Sequence, residues 1–433
     1  MTDYNPTAGL SRRDLLKLTA TGAGGLAMSG WMPVLAAHAA QVQDQTGKPV
    51  SHKKCILLWM NGGPSHKDTF DLKPISAQPS PFKAIDTNVP GIRISENFPK
   101  LARLMNHATI IRSMSTLEGA HPRARFHMHT GYREGIGGLV YPSLGSIVSK
   151  EIGDPSRPLP NFVSVSQPGY SSGYLGPQYQ PLNVQNPAQG VANLQPLVGA
   201  DRFNNRMSML EEMEQSFLGT YHADASTAHR VTYQRAVQML KSREAQAFNV
   251  ASEPQSVRSA YGTNAFGQGC LLARRLVETG VSFVEVGLNG WDTHNNNNER
   301  VQQLSAQVDP AMSQLVIDLQ QRGLLNDTLI IWMGEFGRTP QMNTRAGVPG
   351  RDHYPRAWSL VMMGGGLPNG RVVGRTDAQG ATVVERPVSC VQFMATVCKA
   401  LGVDYTKMNQ TPIGRPIRIV ERGGEPVNEV FKA

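Results

Sequence analysis

Cysteine is scarce in this chain, with 4 residues in 433, and their placement suggests neither a disulfide framework nor a metal finger. Cys55 opens an apolar run, Cys270 lies in a helical pattern, and Cys390 and Cys398 stand eight apart in another, roughly 12 Å at the helical rise. That separation is too long for a disulfide between the last two. No spacing matches a zinc knuckle, so buried thiols are expected. The glycine-rich turn Gly364-Gly365-Gly366 has no Gly-Lys-Ser or Gly-Lys-Thr after it, which excludes a phosphate loop there. A concentrated basic tract is missing as well. The net charge is +9, but the first 39 residues hold Arg12, Arg13 and Lys17 against Asp3 and Asp14, and the remaining +8 is spread along the chain. Without a groove-reading motif or an aromatic-interleaved basic run, no nucleic-acid partner is expected; an anionic substrate remains compatible with the charge.

A long apolar run is also lacking. Leu18 to Leu35 is only weakly apolar, interrupted by glycine, threonine and serine, which disfavours a transmembrane anchor. It follows Ser11-Arg12-Arg13-Asp14-Leu15-Leu16-Lys17, which resembles the twin-arginine export signal with Leu15 where phenylalanine is more usual. Small residues near Ala36 to Ala39 supply cleavage options, the best being Ala37-His38-Ala39. Residues 1–39 therefore read as a signal peptide and 40–54 as a polar linker. The implied partner is the twin-arginine translocase during export, the implied location periplasmic or secreted, with no stable membrane anchor.

What the chain does contain is a repeated order of buried strand then polar cluster. Cys55-Ile56-Leu57-Leu58-Trp59-Met60 runs into Asn61-Gly62-Gly63-Pro64-Ser65-His66. Val281-Ser282-Phe283-Val284-Glu285-Val286 leads to Gly290-Trp291-Asp292-Thr293-His294. Thr328-Leu329-Ile330-Ile331-Trp332-Met333 leads to Gly334-Glu335-Phe336-Gly337-Arg338-Thr339-Pro340, and Gly350-Arg351-Asp352-His353 follows. Short β-branched runs without alternation are how strands covered on both faces read. In open parallel sheets ligands bind beyond the carboxyl ends of strands, so these clusters read as one site. A further strand, Ala108 to Met114, opens onto His121-Pro122-Arg123-Ala124-Arg125-Phe126-His127-Met128-His129. His121 is the best candidate there, nearest the strand exit and just before a helix N-terminus, while His127 and His129 would point to different faces of that helix.

Residues 167–262 read as an insertion: a Gly-, Pro-, Gln- and Asn-rich loop, then helical stretches over 202–217 and 225–247 whose methionines and leucines recur at helical spacing. Strand and helix then alternate, through Trp358 to Met363 and a closing helix from Val388 to Leu401. That order predicts an α/β/α sandwich with a mainly parallel central sheet and right-handed crossovers, residues 55–433 forming one domain with its helical insertion. Asn295 to Asn298 would cap a helix.

Gly62-Gly63-Pro64-Ser65 with Asp68-Thr69-Phe70-Asp71, Trp291-Asp292-Thr293-His294, Gly334-Glu335-Phe336-Gly337-Arg338-Thr339-Pro340, Gly350-Arg351-Asp352-His353 and Arg386-Pro387-Val388 together resemble the bacterial family called domain of unknown function 1501, from about Cys55 to Phe431. That family is similar to the alkaline phosphatase and sulfatase superfamily, whose metal ligands sit at strand ends. The resemblance implies metal ligands at Asp292, His294, Glu335, Asp352 and His353, and places Arg125 and Arg338 as groups for substrate oxygens. His121 then occupies the slot of the sulfatase nucleophile and Asn61 that of an aspartate pair. Two functions are compatible with it: a metal-dependent hydrolase of phosphate or sulfate esters, acting on an anionic ester, or a catalytically inactive exported binding or assembly protein. The mixed ligand set favours zinc, manganese or iron over calcium or magnesium as the divalent cofactor.

Overall fold

Cys55 to Met60 form the middle of the molecule because their side chains serve two cores at once. In the strand Lys54–Asn61 (β1), Ile56, Leu58 and Met60 enter one apolar cluster, and Cys55, Leu57 and Trp59 enter the other. Each of these buried side chains contributes roughly 1.5–3 kcal/mol. The structure is a computed structural model and describes residues 53–432 apart from 193, 195–197, 221–223 and 345–346. The signal segment and nearly all of the linker lie outside the described residues.

Seven further strands complete the sheet: Ala108–Met114 (β2), Phe162–Val165 (β3), Leu182–Val184 (β4), Phe283–Asn289 (β5), Thr328–Met333 (β6), Trp358–Gly364 (β7) and Arg371–Val373 (β8). Their spatial order is β8-β2-β7-β6-β1-β5-β3-β4. On one face pack Ala265–Glu278 and Asn297–Gln321, through residues such as Cys270, Leu276, Val308 and Leu315; on the other pack Leu144–Glu151 and Cys390–Ala400, through Ile147, Phe393 and Val397. The α/β/α sandwich and its mainly parallel sheet are thus as expected.

One strand runs the other way. β7 is antiparallel to both β6 and β2, whereas the remaining neighbours are parallel. The sequence predicts alternating strand and helix throughout, but among the described residues no helix lies between Met333 and Trp358. Without a crossover the chain enters β7 at the edge where it left β6, and so must run back. Two short strands were also missed, β4 and β8. Their three residues each are too few to show a period, and β4 falls inside the stretch read as the start of the insertion.

Beyond β4 come the helices Ala200–Thr220 and Asp224–Lys241, followed by Gln255–Tyr261 and the return through Ala265–Glu278. Among the described residues no helix is long and apolar enough to cross a membrane. The four cysteines are free and buried, and burial raises their thiol pKa values. The asparagine run does not cap its helix by side chain: Asn296 occupies the N-cap without such a bond.

Candidate functional site

β6, β1 and β5 are neighbours and parallel, so the loops leaving Met333, Asn61 and Asn289 emerge side by side at one sheet edge. β2 ends at the same edge and leads to the helix His121–Thr130 (α1), which has Pro122 in its first turn and stops at Gly131 with φ 76°. A two-residue antiparallel pairing, His353 with Arg338 and Tyr354 with Gly337, folds the loop after β6 back over that edge. These arrangements bring together side chains from four separate segments of the chain.

At the centre is the Asp292 carboxylate. His121 Nε2 lies 3.3 Å from its Oδ2. His353 Nε2 and His294 Nε2 lie 3.3 and 3.1 Å from its Oδ1, and these two nitrogens are 3.0 Å from each other. Each imidazole is held from behind through Nδ1: His121 donates to Glu335 Oε1 at 2.6 Å, His294 to Asp352 Oδ1 at 3.0 Å, and His353 to the Gly119 carbonyl at 2.7 Å. Ligand atoms of His121, Asp292 and His353 all lie within 4.8 Å of one another. Although close to Asp292, His121 Nε2 is misaligned with it and is buried without a hydrogen-bond partner.

Charge follows this geometry. Burial lowers the His121 pKa, but Asp292 and Glu335 outweigh it and raise the value to about 9. Burial likewise pushes Asp292 up, but the adjoining His121 and His353 rings and the Arg338 guanidinium hold it far below the usual carboxylate range. Proton and metal ion compete for the same imidazole lone pair, so a site that attracts one attracts the other.

The backbone around the site is tightly specified. Gly62, at φ 119°, donates its N–H to both Glu335 oxygens at 3.1 and 3.2 Å, and a Cβ there would meet Asp292 N at 2.2 Å. Arg338 donates Nε to the Gly63 carbonyl at 2.9 Å and Nη1 to the Arg351 carbonyl at 3.2 Å; Nη2 serves the Gly62 carbonyl and, at 2.6 Å, Asp292 Oδ1.

The structure gives each of the other expected site residues a definite set of contacts. Arg338, expected to meet substrate oxygens, is wholly buried, and every guanidinium nitrogen is engaged by Asp292 or by the Gly62, Gly63 and Arg351 carbonyls. Glu335, also wholly buried, spends its carboxylate on Gly62 and His121; Asp352 spends Oδ1 on His294 and on Asn343 at 2.9 Å. Each thus holds a histidine through its Nδ1, Glu335 holding His121 and Asp352 holding His294. Arg125 fits its expected place better: one third exposed, it touches Glu335 Oε1 through Nε at 3.3 Å. Asn61 pairs with its neighbour across the sheet, donating Nδ2 to Asn289 Oδ1 at 2.7 Å. His127 and His129 are packing residues, both buried, with His129 lying 4.0 Å from the Trp59 ring and 3.2 Å from Glu285 Oε1.

Missed altogether was Arg351, which lies below the site and grips the buried Asp68; Asn297 donates to the same carboxylate at 2.9 Å. Asp68 and Arg351 both fall in the quoted motifs, and that was the available signal.

The molecule is therefore an α/β protein with a histidine and carboxylate centre at the C-terminal edge of its parallel strands. It belongs to the family described as Protein of unknown function (DUF1501), matched over residues 52–431. A search of curated proteins finds no sequence match. Among solved structures it is similar to the PsFucS1 sulfatase from Pseudoalteromonas sp., at 13% identity and TM-score 0.39 over 88% of this chain and 73% of that one. It is similar also to the phosphonate monoester hydrolase of Agrobacterium radiobacter, at 12% identity and TM-score 0.38 over 88% and 77% of the two chains. A third is the lipoteichoic acid synthase LtaP from Listeria monocytogenes, at 10% identity and TM-score 0.36 over 86% and 75%. Likeness at these scores carries no argument about chemistry, which rests on the residues themselves.

Proposed function

We propose that this protein is a metal-dependent hydrolase of phosphate or sulfate esters, exported by the twin-arginine route. The observation that carries the reading is the convergence of His121, Asp292 and His353, with His121 Nε2 buried and unpartnered. The residues fit a divalent cation: donors placed about 2.0–2.1 Å from one ion stand roughly 3.0–3.4 Å apart, and the contacts to Asp292 are 3.1 to 3.3 Å. Zinc, manganese or iron suits this donor set better than calcium or magnesium. When bound, such an ion would polarise an ester oxygen and lower the pKa of water toward ~7.

The chain's own groups do the rest. Glu335 fixes the orientation of His121, and Arg338 that of Asp292. Arg125, exposed beside Glu335, offers a guanidinium that matches an anionic oxygen bidentately. His121 carries no hydroxyl or thiol, so the usual covalent ester with substrate has no residue to form on.

The experiment is a screen of zinc-, manganese- and iron-reconstituted protein against aryl phosphates, phosphodiesters and aryl sulfates, alongside Asp292→Ala. Turnover lost in the variant supports the hydrolase. If cation binds but no ester turns over, the second reading takes its place, an exported binding or assembly protein on the same fold. Pairing of Asn61 with Asn289, with no carboxylate from β1 at the site, favours that second reading.

A further inference from the structure

We infer that Tyr170 is the surface on which the alcohol part of the ester lies, so that the site selects esters of ring-bearing alcohols, aryl or sugar, over those of small open-chain ones. The inference rests on the hydrolase reading above and deepens it by naming the substrate class.

The loop that carries Tyr170 is built to stay in place. β3 is parallel to β5, so the chain leaving Val165 emerges beside the loop that carries Asp292. Ser166 then adopts φ 65°, a left-handed conformation that a residue with a side chain keeps only where its surroundings enforce it. Gln167 is gripped on several sides. Its carbonyl accepts from Ser164 Oγ at 2.9 Å, its Nε2 donates to Glu285 Oε1 at 2.6 Å, and its side chain lies over Gly287, where a Cβ would meet its Cδ at 2.4 Å. Ser143 Oγ donates to the Tyr170 carbonyl at 3.2 Å.

The ring itself rests on a rigid stack. Tyr170 lies against His129 with centroids 4.3 Å apart and planes 22° from parallel, and the His129 ring lies in turn 4.0 Å from that of Trp59. His129 is fixed in direction, with Nδ1 2.8 Å from the Arg125 carbonyl and Nε2 3.2 Å from the buried Glu285. Trp59 and His129 are buried, whereas Tyr170 is half-buried, and its hydroxyl makes no hydrogen bond among the described residues. Burial pushes that hydroxyl up to about 12, with Arg125 opposing and Glu285 and Glu335 adding to the rise, so the hydroxyl feels the charges of the site. Arg125 and His129 stand one turn of α1 apart, about 6 Å along the helix. An ester whose anionic oxygens meet Arg125 therefore has its carbon skeleton within reach of Tyr170, and an aromatic face holds a flat ring better than a short chain.

The test reads binding, with phosphonates whose carbon link resists hydrolysis: methylphosphonate, phenylphosphonate and a glucose ring joined to phosphonate through carbon. Each is titrated calorimetrically into the protein with and without zinc. Wild type is expected to bind at least one ring-bearing probe about 10-fold more tightly than methylphosphonate, and the tighter of the two tells aryl from sugar. Tyr170→Phe should keep that preference. Tyr170→Leu, which retains bulk but not the flat face, should lose it while holding methylphosphonate within about threefold of wild type. A ring preference that survives Tyr170→Leu, or equal weakening of every probe in that variant, would make Tyr170 a packing residue and overturn the inference. So would a wild type that binds all probes alike, and the hydrolase reading would then stand. A wild type that binds no probe overturns the inference too, and the ester screen alone decides the hydrolase. Ring preference without turnover in that screen would keep Tyr170 as the platform and give the site to the binding protein.

Discussion

The Arg351 guanidinium grips the Asp68 carboxylate through two nitrogens, Nε to Oδ2 at 2.8 Å and Nη2 to Oδ1 at 3.2 Å, and both side chains are closed to water. Arg351 also donates Nη1 to the Thr339 and Pro340 carbonyls at 2.9 and 2.6 Å, tying the loop after β6 to the loop after β1. Removing one partner of such a pair leaves a buried charge and costs about 3–5 kcal/mol. Asp68→Ala should therefore lower the denaturant midpoint strongly. Asp68→Leu combined with Arg351→Met should recover part of that loss, and a double variant no better than the single one would contradict this account of the pair.

Gly62 admits no side chain. Its positive φ alone strains an L-residue by about 1–3 kcal/mol, and the added Cβ would strike the Asp292 backbone. Gly62→Ala should destabilise the fold and weaken zinc binding together, because the same turn carries the N–H that holds Glu335. Unchanged zinc affinity in a folded Gly62→Ala protein would separate the turn from the site.

On the proposed hydrolase reading, Arg125 would act on substrate and not on metal. Arg125→Ala should leave zinc affinity within about threefold of wild type yet reduce turnover of an anionic ester by 10-fold or more, since charge-assisted bidentate contacts are worth about 1.5–3 kcal/mol. Equal losses in both measurements would instead make it a support for Glu335.

His66 gives stability a defined pH slope. Burial lowers its pKa, with Asp71 opposing, and its Nε2–H donates to the Gly380 carbonyl at 2.7 Å while Nδ1 has no partner. With the folded pKa below the unfolded value near 6.5, the unfolded chain binds more protons in the window beneath it. The contribution is thus complete above about 6.5 and is lost as pH falls toward the folded pKa, with a slope of at most about 1.4 kcal/mol per pH unit. Denaturation between pH 7 and 5 should show a shallower decline for His66→Gln than for wild type.

Export is the remaining test. Arg12→Lys with Arg13→Lys should leave the protein in the cytoplasm on fractionation, as expected of a twin-arginine signal. Undiminished periplasmic or secreted protein would contradict it.

The sandwich was legible because a strand covered on both faces needs an unbroken apolar run, and Cys55 to Met60 and Thr328 to Met333 carry that requirement openly. Strand direction at β7 was not, since direction depends on what connects two strands, and a 24-residue connection with no helix among its described residues looks no different in sequence from an irregular crossover. By itself the sequence determined the layers, the edge at which Asp292, His294, Glu335, Asp352 and His353 gather, and the candidacy of His121. Only the tertiary structure decided which atoms of these residues meet. Whether a carboxylate ligates a metal or aims a histidine depends on which atoms surround it in three dimensions, and the Gly62 N–H and His121 Nδ1 that claim Glu335 lie more than 200 residues away from it.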